Sequence, residues 1–138
     1  MTKYRLTVTE DQARVIAEAL ELRARVGTGQ LKYLDDVIWG YEDHAKRPDL
    51  IPEIVDNLES LEMACGLAIT GYPRQFKSIT NTDVPRDTRR AWDLSRVIRH
   101  RMAVERSSDV SSVDHLKPRN NAKEPFAVME RLEDETST

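Results

Sequence analysis

Three arginines, a tryptophan and a histidine occur within Trp92-Asp-Leu-Ser-Arg96-Val-Ile-Arg99-His100-Arg101, and no other stretch of the chain is better equipped for chemistry. At about 100° per residue, Trp92, Arg96, Arg99 and Ala103 share one face of a helix, while Ala91, Leu94, Ile98 and Met102 share another. A helical core requires the second face. The first presents an indole and two planar guanidinium forks, which bind planar or phosphate-bearing anions by stacking and bidentate hydrogen bonds. The same residues suit an acidic neighbouring helix equally well, and both partners stay open.

A second group lies at Arg23-Ala-Arg25-Val-Gly27-Thr28-Gly29-Gln30. Two glycines between helices expose backbone N–H groups, and Thr28 and Gln30 add side-chain donors within reach of Arg23 and Arg25. Together these make a cradle for phosphate or carboxylate. A plain joint, with glycines chosen for their dihedrals, is the competing explanation. The joint is neither a P-loop nor a dinucleotide fingerprint, since the strand, the lysine and the Lys-Ser/Thr ending are absent. The expected ligand-binding set is therefore Arg23, Arg25, Gly27, Thr28, Gly29, Gln30, Trp92, Arg96, Arg99 and His100.

Other chemistries find less support. Glu18/Glu21 and Glu53/Asp56/Glu59/Glu62 resemble the helical carboxylates with which all-α nucleotide pyrophosphohydrolases hold magnesium. Their angles point away from the apolar stripes, as expected of a solvated face, and Asp35-Asp36 is a similar case. The three histidines stand in unrelated contexts, and Cys65 falls on the core side of its helix. No catalytic residue, metal site or cofactor is expected.

The elements that position these residues are mainly helical. Tyr4/Leu6/Val8 alternate with Arg5/Thr7/Thr9, the period of a short strand, for which Tyr72–Thr80 is the best partner. Thr9-Glu-Asp-Gln12 forms a capping box that opens a helix with Val15, Ile16, Ala19, Leu20 and Leu22 inside. A second helix carries Leu31, Leu34, Val37, Ile38 and Tyr41 and stops before Pro48. A third starts at Asp49 and Pro52, with Ile51, Ile54, Val55, Leu58, Leu61 and Cys65 on its core side. The arginine-rich fourth runs from Asp83-Val-Pro85 to about Glu105. The expected fold is a four-helix bundle-like core over residues 1–106 with its N-terminal strand. A solvated linker over 107–125 and a C-terminal tail segment over 126–138 follow, the tail forming a helix on Phe126, Val128, Met129 and Leu132.

Composition narrows the partners. At 138 residues the chain suits one domain, and its formal charge of −3 argues against nucleic acid. Charge is unevenly spread: residues 1–70 carry 8 Lys/Arg against 13 Asp/Glu, whereas 86–106 carry seven arginines against three acids. One basic helix thus sits in an acidic body. A lone cysteine excludes an internal disulfide, no apolar run is long enough for a membrane span, and the N-terminal residues lack a secretion-signal layout. A cytoplasmic protein, self-associating as a homo-oligomer, is expected.

Tyr4–Thr9, the capped segment Thr9–Arg25, the joint Arg25–Gln30 and Trp92–His100 together resemble small accessory proteins of tailed bacteriophages, over about the first hundred residues. The resemblance implies the cytoplasm of an infected bacterium and assigns no catalytic residue. It also implies a role in inhibiting host enzymes or countering host defence, in some cases by sequestering nucleotide signals. The resulting expectation is non-catalytic binding, by sequestration, of a small phosphate-bearing ligand such as a nucleotide or cyclic-nucleotide signal. An acidic inhibitor of a host enzyme, acting through Glu53, Asp56 and Glu59, is the alternative.

Overall fold

The computed structural model describes residues 2–38, 45–106, 117–125 and 127–131, and every regular element among them is helical. The elements are α1 (Glu10–Gly27), α2 (Tyr33–Ile38), a 3-10 turn (Pro48–Leu50), α3 (Ile51–Thr70) and α4 (Arg86–Arg106). The capping box forms as its residues dictate: the Gln12 N–H donates to Thr9 Oγ1 at 3.2 Å, and the Thr9 N–H donates to Gln12 Oε1 at 2.9 Å. Glu10 and Asp11 in the first turn and Arg25 in the last complement the helix dipole.

α1 and α4 run antiparallel and form the principal contact of the fold. Arg106 at the end of α4 pairs with Glu10 at the start of α1, and Gly27 at the other end lies against Thr88. The buried residues are small: Ala13, Ala17 and Ala24 from α1, and Thr88, Ala91 and Ser95, with Met102, from α4. Ala91 and Met102 are on the expected α4 face, while the remainder of the expected faces is bulkier. Val15 is instead 59% exposed, and Leu94 is 38% exposed. Small side chains let two backbones approach closely, so the alanine stripe takes the contact and the larger apolar groups are displaced to its flanks. A Cβ at Gly27 would meet Thr88 Oγ1 at 2.5 Å, a measure of how near the helices come.

Three further expectations change. Residues 2–9 form no strand, and Tyr4 and Leu6 stand 94% and 74% exposed. A strand exists through its ladder, and the intended partner is engaged elsewhere. The Lys77 N–H donates to Thr28 O at 3.2 Å, and the backbone of Tyr72, Arg74 and Gln75 folds onto Gly66. The helices also do not share one core, because α3 leans on α2 and the Pro48–Leu50 turn. Finally, residues 117–125 of the supposed linker are strapped to α4. Asp93 accepts from the Asn121 side chain at 2.8 Å and the Ala122 N–H at 2.9 Å, Arg90 donates to Glu124 at 2.8 Å, and Ala122 is buried. Residues 107–116 lie outside the described residues. So do Phe126 and 132–138 of the tail, and its described residues 127–131 are not helical.

Candidate functional site

Glu21 stands where the two arginine-bearing segments meet. Its carboxylate accepts Arg25 Nη2 at 2.9 Å, pairs with Arg96 Nη2 at 3.0 Å, and pairs with Arg99 Nη2 at 2.8 Å. Antiparallel packing of α1 on α4 produces this convergence, since it places the last turns of α1 opposite the middle of α4. Burial pushes the Glu21 carboxyl up. The hydrogen bond from Arg25 and the charges of Arg96, Arg99 and Arg25 outweigh that effect and hold it below its ordinary 4.5. Three guanidinium groups thus share the Glu21 carboxylate.

Aromatic rings brace the cluster. Arg25 lies 4.1 Å from the centroid of Tyr33 and 5.5 Å from that of Trp92, and Arg96 lies 4.5 Å from Trp92. Gln30 steadies Arg25 from behind. It accepts Arg25 Nη1 at 3.2 Å and donates to Thr28 Oγ1 at 3.1 Å, while the Thr28 hydroxyl donates to Arg25 O at 2.9 Å.

A cleft of about 590 Å3 opens beside the cluster, within the ~300–1,000 Å3 range of small-molecule sites. Val15, Ala19 and Leu22 of α1 and Tyr33 and Val37 of α2 supply apolar walls. Arg25, Arg99 and Glu21 form one polar margin, and Glu18 and Asp36 add carboxylates. The Nε–H of Arg99 is buried with no acceptor among the described residues.

The expected residues separate accordingly. Arg25, Arg96 and Arg99 converge, and Trp92 and Gln30 support them. Arg23 is exposed and apart from the cleft, and His100 is half-buried on α4 without lining it. The glycine joint offers no open cradle. The N–H groups of Thr28, Gly29 and Gln30 donate to Ala24 O, Val26 O and Arg25 O at 3.1, 3.0 and 2.8 Å. Gly29 takes φ 100°, the left-handed conformation that closes a helix C-terminus. These residues finish α1.

Sequence reasoning placed Glu21 on a solvated face, where the structure makes it the centre of the cluster. Its spacing of four residues from Arg25 was the available signal, since such pairs meet on a helix. Tyr33 left no signal of comparable clarity. Glu62, from the other acidic ladder, accepts the Lys32 N–H at 2.7 Å and ties α3 to the turn before α2.

No family model, curated protein or solved structure matches the chain. Among the described residues no group of three His, Cys, Asp or Glu is placed to hold a metal ion, and no helix is long and apolar enough to cross a membrane.

Proposed function

We propose that the chain binds a small phosphate-bearing ligand of nucleotide size in the cleft between α1, α2 and α4, and holds it without transforming it. The observation that carries this reading is the gathering of Arg25, Arg96 and Arg99 on a single carboxylate at the cleft margin. A structural ion pair needs one arginine. Arg25 and Arg99 line the cleft, and guanidinium forks hold an anion by charge-assisted hydrogen bonds. The aromatic wall that meets the ligand is Tyr33 rather than Trp92, whose ring neighbours Arg25 and Arg96. Glu18 and Asp36 are acceptors for the amino groups of a base. In the phage setting that the sequence resemblance implies, such a protein sequesters a nucleotide signal.

Thermal shift against nucleotides and cyclic oligonucleotides, with and without magnesium, tests the reading. A ligand at a hundredfold over its Kd adds about 2.7 kcal/mol, a rise of several degrees. That rise is expected for the wild type and is lost in Arg99→Ala. A flat panel, or a shift that survives Arg99→Ala, would overturn it.

A second reading has its own observation in α3. Glu53, Asp56 and Glu59 are exposed there, as are Leu61 and Leu67, at 55% and 50%. This surface suits either a basic groove on a host protein or a second copy of the chain. Binding to a host partner that survives Arg99→Ala and fails in E53Q/D56N/E59Q would favour it. Sedimentation velocity reports self-association directly.

A further inference from the structure

A second, smaller recess opens on the α1–α4 groove beside the cleft. It encloses about 120 Å3 and is lined by Arg14, Glu18, Arg99 and Arg106, with Ala17 and Met102 among its apolar contacts. Glu18 and Arg99 line both spaces, so the two are direct neighbours. Their charges differ in sign. The larger cleft sets Arg25 and Arg99 against Glu18, Glu21 and Asp36, whereas the recess sets three arginines against Glu18 alone.

The carboxylates that hold the outer arginines are readily displaced. Arg14 pairs with Asp11 at 3.2 Å and Arg106 pairs with Glu10, and all four side chains are more than half exposed. Exposed pairs of this kind are worth about 0–1 kcal/mol. A dianionic oxyanion held by several guanidinium forks forms stronger, charge-assisted hydrogen bonds. A recess of about 120 Å3 has room for one tetrahedral oxyanion.

We propose that this recess is the phosphate subsite of the cleft. The ligand is then an organic phosphate, a nucleoside monophosphate or a sugar phosphate. Its phosphate lies among Arg14, Arg99 and Arg106, and its body passes Glu18 to rest against Leu22 and Tyr33. Glu18, at the junction, accepts a hydrogen bond from a ligand hydroxyl near the phosphate. The inference rests on the cleft reading and deepens it: Arg99, which lines both spaces, joins the arginine cluster to the recess, and the cleft takes the body of the ligand.

Calorimetric titration of the full chain at low ionic strength with inorganic phosphate, AMP and adenosine tests it. The double variant R14A/R106A is expected to weaken both phosphate and AMP by about tenfold or more, with its melting temperature unchanged because both side chains are exposed. Tyr33→Ala should weaken AMP more than phosphate, and Arg23→Ala, away from both spaces, serves as the control. AMP binding that survives R14A/R106A but falls in Tyr33→Ala would overturn the recess and leave the cleft reading standing. AMP binding no tighter than phosphate would overturn the cleft reading and the organic part of the proposal. Absence of binding by phosphate and AMP alike would remove both.

Discussion

Along the α1–α4 contact the buried side chains are alanines, a threonine and a serine, with Met102 as the one large group. In α3, which is richer in leucine and isoleucine, Leu61, Met63, Leu67 and Ile69 stand 37–55% exposed, and Gly66 is the buried residue. Hydrophobicity and packing are therefore distributed differently in the two regions. Close approach of α1 and α4 selects small side chains, and it also drives polar residues on both helices into contact. Glu21 meets Arg96 and Arg99 because the alanine stripe brings their backbones together. α3 leaves these apolar groups partly exposed.

Overfilling the close contact between α1 and α4 has the largest expected effect. Ala17 is 1% exposed, and Ala17→Leu should cost about 3 kcal/mol in urea denaturation, since neither backbone can withdraw. Glu21→Gln comes next, at about 2 kcal/mol. That figure is below the range for fully buried pairs because the carboxylate is 17% exposed. The pH dependence follows from its depressed pKa. The contribution is full above 4.5 and is lost as pH falls through the lowered value, so Glu21→Gln flattens the acid limb of the stability profile. Asp49 and Glu124, lowered by Arg47 and Arg90, keep that limb from vanishing.

Asp93→Ala removes two acceptor contacts to the 117–125 strap, one of them to the amide of buried Ala122. A loss of about 1–2 kcal/mol is expected, with faster amide exchange at Ala122. The smallest effect belongs to α3. Leu67→Ser should change stability by less than about 0.5 kcal/mol in dilute solution, because the side chain is half exposed. A larger loss that grows with protein concentration would show that a second copy covers this face.

Local signals in the sequence translated directly into structure. Thr9 and Gln12 cap α1, Pro85 precedes α4, and the glycines of the joint end a helix. Each of these needs only neighbouring residues. What went unread needed distant ones. The alternation at Tyr4–Val8 is a strand pattern without a ladder, because Lys77 bonds to Thr28 instead. The inner face of α1 was misassigned, and that of α4 only in part, since Ala91 and Met102 are buried as expected and Leu94 is not: periodicity locates the bulkiest stripe, while the contact was decided by the smallest. Two candidate sites were legible as separate motifs. Their meeting at Glu21 depended on the antiparallel register, which no local pattern encodes.

The most direct test of the arginine cluster is anion affinity in Glu21→Gln, measured by calorimetric titration with AMP beside the wild type. Gln keeps an acceptor for Arg25, Arg96 and Arg99 but removes the charge that competes for them. The less stable variant should therefore bind AMP more tightly than the wild type. Weaker binding, or none in either protein, would contradict the assignment of these arginines to a ligand and return them to a purely structural role.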